Sequence, residues 1–209
     1  MNGIDSLIDS LADDGASPME SHRLRFVWPL LAAFALCAVG AASVFDNAFG
    51  TVARDGLGPI AVKWGFSLAL VLMAPIALWI LGKPGRPSGW SVAFLAVPFV
   101  LMLALFAVDL SARGATGFPG TTWRNCLAAM TVMSPLAFGG AVYAMRALAP
   151  THLGRAGLVA GLFGGGVAMT AYSPFCPESG MLYVMVFYLL PITVMASLGW
   201  LLGPRLLRW

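Results

Sequence analysis

Two cysteines are the residues of this sequence best suited to chemistry: Cys126, in TTWRNC, and Cys176, in YSPFCPESG. A thiol can close a disulfide, bind a soft metal ion or react with an oxidant. Each stands at the edge of a long apolar run. Thioethers lie close by. Met130 and Met133 follow Cys126 at helical spacings of four and seven, so the three share a face. Met181 and Met185 follow Cys176. Thiolate and thioether together favour Cu(I) and similar ions, which makes Cys126, Cys176 and Met130 a candidate set for a transient metal ion. The bland reading of the methionines is packing between apolar helices. There is no CxxC and no HxxxH. The third cysteine, Cys37, falls in the middle of an apolar run and reads as a small buried residue.

The elements that must position these thiols follow from composition. The chain has 209 residues, 59% hydrophobic and only 10% charged. A soluble domain of that size cannot bury so much apolar surface, so the bilayer must act as solvent. A spanning helix needs about 20 mostly apolar residues. Six stretches qualify: Val27–Phe45, Lys63–Leu81, Trp90–Leu110, Leu127–Met145, Ala156–Tyr172 and Met181–Leu202. The runs are continuous rather than alternating, which favours helices over a barrel. The expected fold is an all-α membrane protein, a six-transmembrane-helix bundle. Residues 1–25 form a cytoplasmic N-terminal segment and 26–209 the membrane domain. The first segment is acidic and lacks an apolar core, unlike a secretory signal peptide. No stretch is long enough for a separate soluble catalytic domain.

Orientation follows from the loop charges. One side would carry Arg23, Arg25, Lys83, Arg86, Arg146, Arg155, Arg205 and Arg208; the other, Arg54, Lys63, Arg113 and Arg124. Eight against four puts both termini in the cytoplasm. Cys126 and Cys176 then meet the same non-cytoplasmic surface, where disulfides persist. Three arrangements fit: a stapling disulfide, a redox or metal sensor, or two unrelated thiols. A bridge would need Cα atoms within about 7 Å. Cys176 is expected to be displayed on its short loop, within reach of something outside the cytoplasm. His22 and His152 fall on the opposite side and cannot join the thiols.

At the N-terminus, Ile4, Leu7, Ile8 and Leu11 recur at the spacing of one helical face, with Asp5, Asp9, Asp13 and Asp14 mainly elsewhere. Gly15 and Pro18 end the pattern. Such a short amphipathic helix is unstable alone in water and is suited to a partner's groove. Membrane-surface helices are usually basic, and this one is acidic, which favours a protein partner. Gly157, Gly161 and Gly165 form a tandem GxxxG for close helix approach, within the bundle by default and in a homodimer seam otherwise. Pro75, Pro98, Pro135 and Pro191 sit inside spans, where they kink helices and free carbonyls. Asp46, Lys63 and Asp109 lie near span ends, with Asp109 one turn from Arg113. No ionisable group lies mid-membrane, as a transporter usually needs. No phosphate-binding, serine-hydrolase or zinc-protease motif is present, so an enzyme has little to stand on.

These pieces, in order, resemble the NrsF family, negative regulators of sigma F. LIDSLADD is similar to that family's N-terminal segment, and TTWRNC carries its cysteine before the fourth span. ALAPTHLGRAGLVAGLFGGG, AYSPFCPESG and LLGPRLLRW match its fifth span, its Tyr-then-Cys loop and its C-terminal end. The resemblance implies a six-span bacterial inner-membrane anti-sigma factor. Such a protein holds an ECF-type sigma factor away from RNA polymerase and does not itself contact nucleic acid. Cys126 and Cys176 would be the sensor pair for heavy metals or oxidants, with no resident cofactor. Ile4, Leu7, Ile8, Leu11 and Asp13 would belong to the sigma-binding element. Cys37 has no place in the pattern. The rivals are a small metal or solute transporter, suggested by the prolines and methionines, and a quinone-coupled thiol oxidoreductase, which would need more than two cysteines on one face.

Overall fold

The computed structural model describes residues 19–83, 89–114, 118–148 and 150–208. The N-terminal positions Ile4, Leu7, Ile8, Leu11 and Asp13 lie outside the described residues. The described chain is helical throughout, without strands. Its elements are α1 (Met19–Val44), α2 (Gly50–Asp55), α3 (Gly58–Leu81), α4 (Gly89–Ala93), α5 (Ala96–Arg113), α6 (Trp123–Met145), α7 (Leu153–Tyr172), α8 (Met181–Val184) and α9 (Leu190–Leu206). A short 3₁₀ turn, Ser173–Phe175, follows α7, and a π-helical turn, Met185–Leu189, joins α8 to α9.

Five helical stretches are long and apolar enough to cross a membrane: Arg23–Val44, Gly58–Leu81, Trp123–Met145, Leu153–Phe175 and Met181–Leu206. The third expected span differs. Trp90–Leu110 is not one helix but α4 and α5, parted at Phe94 and Leu95, and its apolar part is Ala96–Ala112. Pro98 explains the break. It has no N–H for the carbonyl of Phe94, and its ring would clash with that carbonyl in a continuous helix. Pro98 instead stands in the first turn of α5, where no intrahelical donor is required. The first helix also starts earlier than expected, at Met19, and crosses the expected boundary at residue 25.

The core is built around α7. It packs most extensively on α9, then on α6 and α3, and every residue from Val159 to Tyr172 is buried. Glycine makes this possible. An added Cβ would lie 2.0 Å from the carbonyl oxygen of Gly199 at Gly157, and 2.4 Å from that of Met195 at Gly161. At Gly165 it would press on Ile192. The tandem GxxxG face is therefore filled by α9 of the same chain. The neighbouring faces are equally close: Gly164 meets Ser134 and Phe138 of α6, and Gly166 meets Leu70 of α3. Outer helices turn large apolar residues outward, including Leu36 and Val39 on α1, Leu72 and Ile76 on α3, and Val100 and Leu101 on α5. Continuous apolar exposure of this kind suits hydrocarbon rather than water.

Candidate functional site

The ends of α1, α5 and α7 and the starts of α3 and α6 converge at one end of the bundle, and the segment from Cys176 to Gly180 lies among them. Cys126 is in the first turn of α6. Cys176 follows the 3₁₀ turn, where Pro174 favours a tight backbone. Both thiols are fully buried, at 0% exposure. This corrects the expectation of a displayed Cys176. The loop folds inward because a buried amine holds it. Lys63, only 2% exposed on α3, donates from Nζ to the backbone carbonyl of Cys176 at 3.3 Å and to that of Glu178. A charged group so buried must satisfy its hydrogens locally. The expected span began at Lys63, which made it look like an end residue. In the structure α3 starts at Gly58, with Pro59 in its first turn, so Lys63 lies inside the packed helix.

The rest of the loop is strapped from other sides. The Glu178 carboxylate accepts the N–H of Thr121 at 2.8 Å and the Thr121 hydroxyl at 3.1 Å. Asp109 on α5 accepts the N–H of Met181 at 3.3 Å. The N–H of Phe49 bonds the Pro174 carbonyl at 2.8 Å, and the Phe45 ring meets Tyr172 edge-on with centroids 4.9 Å apart. A cleft of about 370 Å³ opens beside this loop, lined in part by Arg54, Asp55, Asp109 and Glu178.

Around the thiols the walls are aromatic. Cys126 and Cys176 are neighbours, and Tyr183 and Tyr188 flank Cys126. The Tyr183 hydroxyl is 3.4 Å from that of Thr122. Tyr188 is fully buried beside both thiols. The Cys126 thiol points at the backbone carbonyl of Phe187, 3.6 Å away, within the π-helical turn. The structure thus brings together Cys126, Cys176, Lys63, Tyr183 and Tyr188. Sequence reasoning found the thiols but missed the other three. A lysine in an otherwise apolar helix was a usable signal for the first of them.

Met130, 1% exposed, is on α6 one turn beyond Cys126. Among the described residues, no three His, Cys, Asp or Glu side chains gather as a metal-holding group. Cys37 is on α1, its thiol 3.7 Å from the Met133 carbonyl and apart from the site.

Comparison with known proteins covers nearly all of this framework. The family model for NrsF, negative regulator of sigma F, matches residues 11–209. The chain belongs to the NrsF family. It is 35% identical over 152 residues, 71% of each chain, to the probable anti-sigma-F factor NrsF of Azospira oryzae. It is 29% identical over 214 aligned positions, 98% of this chain and 99% of the relative, to the anti-sigma-F factor NrsF of Caulobacter vibrioides. No solved structure matches. The NrsF match contains both thiols and Lys63, and begins at Leu11, within the expected N-terminal helix.

Proposed function

We propose that this chain is a membrane-embedded anti-sigma factor of the bacterial inner membrane. It binds an ECF-type sigma factor on the cytoplasmic side, where both termini lie. It releases that partner when Cys126 and Cys176, at the other face, respond to a heavy metal or an oxidant. The observation that carries this reading is the end-to-end family match over residues 11–209. The convergence of the two buried thiols at one end of the bundle supports it. The apolar outer faces of α1, α3 and α5 support the membrane location.

Burial shapes the mechanism. A reagent reaches either thiol only when the loop opens, and the Lys63 clamp and the Glu178–Thr121 strap oppose that opening. A small reagent needs less opening than a large one. Chemistry at the thiols then favours a second packing of the helices, with lower affinity for the sigma factor. Moving the balance from 1:99 to 99:1 takes about 5.5 kcal/mol of difference between the two states.

The sigma contact is assigned to the N-terminal segment through Ile4, Leu7, Ile8, Leu11 and Asp13. The test is affinity capture from native membranes, read by mass spectrometry, with the intact chain and one lacking roughly its first 20 residues. A sigma factor held by the intact chain and lost on truncation is the expected result. Retention by both moves the contact to the cytoplasmic loops or the C-terminus. Capture by neither overturns the anti-sigma reading.

A further inference from the structure

The last span carries a local defect at the site. Pro191 is the second residue of α9. Proline has no N–H, so in an unbroken α-helix the carbonyl four residues earlier, that of Phe187, would lose its donor and meet the proline ring. The chain avoids the clash by widening one turn. Over Met185–Leu189 the helix is π, and the N–H of Leu190 reaches back five residues to Met185. Pro191 offers the Phe187 carbonyl no N–H, and Sγ of Cys126, fully buried on α6, approaches that carbonyl at 3.6 Å.

We propose that Pro191 is a positioning residue for the Cys126 thiol. By withholding its own N–H it leaves the Phe187 carbonyl as the acceptor that fixes the thiol, so the π turn of the last span registers whether Sγ carries its hydrogen. The role in signalling rests on the sensor reading above; the positioning itself does not. A thiol donates to the carbonyl. A sulfur bonded to anything else cannot, and the buried carbonyl loses that donor. The turn must then rearrange. α9 begins one residue later, and its Ile192, Ala196 and Gly199 are wedged against the glycine face of α7. That seam is too close to absorb a shift gradually, so movement at the turn passes along α9 toward the opposite end of the bundle.

Infrared spectroscopy of the full chain in lipid bilayers tests this directly. Cys37→Ala and Cys176→Ala leave Cys126 as the one S–H oscillator. Adding Pro191→Ala restores the backbone donor to the Phe187 carbonyl. The S–H stretching band of Cys126 is expected to move to the position of an unbonded thiol; an unmoved band overturns the proposal. A second measurement stands even where Pro191→Ala does not fold. Amide hydrogen exchange over 185–192 is expected to quicken about fivefold in Cys126→Ala, the equivalent of one weak hydrogen bond lost. Cys126→Ser, which keeps a donor, should stay near wild type. Equal exchange in Cys126→Ala and wild type also overturns the proposal. Both readouts are made without sigma factor, metal or oxidant. A chain that failed to release sigma under stress would overturn the sensor reading without touching either of them.

Discussion

A lysine with 2% exposure among apolar helices persists only if its amine hydrogens find acceptors, and Lys63 finds the carbonyls of Cys176 and Glu178. Tyr188 adds its ring, with the centroid 6.0 Å from Nζ. Hydrogen bonds to a charged group contribute about 1.5–3 kcal/mol each, partly offset by desolvation of the ammonium. In Lys63→Met the loop should therefore open more easily, by about 2 kcal/mol, or about thirtyfold in population. The measurement is the rate at which Cys176 is alkylated by a maleimide, read in a chain that also carries Cys37→Ala and Cys126→Ala. An unchanged rate would mean that Lys63 does not hold the loop closed. The strap through Glu178 works from the other side. Glu178→Ala should raise the same rate by about tenfold, since it removes two hydrogen bonds to a carboxylate in a partly exposed place.

The decisive element is α7, whose glycines let three helices approach on three sides. Gly157→Ala would drive a methyl into the backbone of α9 and should cost about 3 kcal/mol, the upper part of the usual range for overpacking. Gly40→Ala on α1 meets nothing within 4 Å and should lie within about 1 kcal/mol of wild type. Denaturant titration in mild detergent, followed by circular dichroism, compares the two. Similar midpoints would show that the seam yields more readily than its geometry implies. The spacing of Gly157, Gly161 and Gly165 was readable from the sequence. That α9 of the same chain fills the face was not, because a GxxxG pattern offers close approach to any helix and does not name one.

At the scale of the whole molecule, the loop charges and the bundle make one joint statement about sidedness. Ser179 is exposed at the thiol end and Thr151 at the opposite end. In a chain freed of its three native cysteines, Ser179→Cys should be labelled in spheroplasts by a membrane-impermeant maleimide. Thr151→Cys should be labelled only after the membrane is permeabilised. The reverse pattern would invert the topology and place the thiols in the cytoplasm, where the sensor reading has no basis.

Composition and pattern by themselves determined the helical class, most of the long apolar helices, the two thiols at one end and the family resemblance. These are one-dimensional properties: an apolar run of bilayer length, a charge bias between loops, and an ordered set of short motifs. Only the tertiary structure decided the rest. It broke the third span, because Pro98 and the Phe94 carbonyl conflict in three dimensions. It drew Cys176 inward, because a lysine 113 residues away in sequence reaches its carbonyl. It gave the Phe187 carbonyl to Cys126, 61 residues distant. A proline announces that some carbonyl loses its donor, but which atom takes the vacancy depends on how the helices pack.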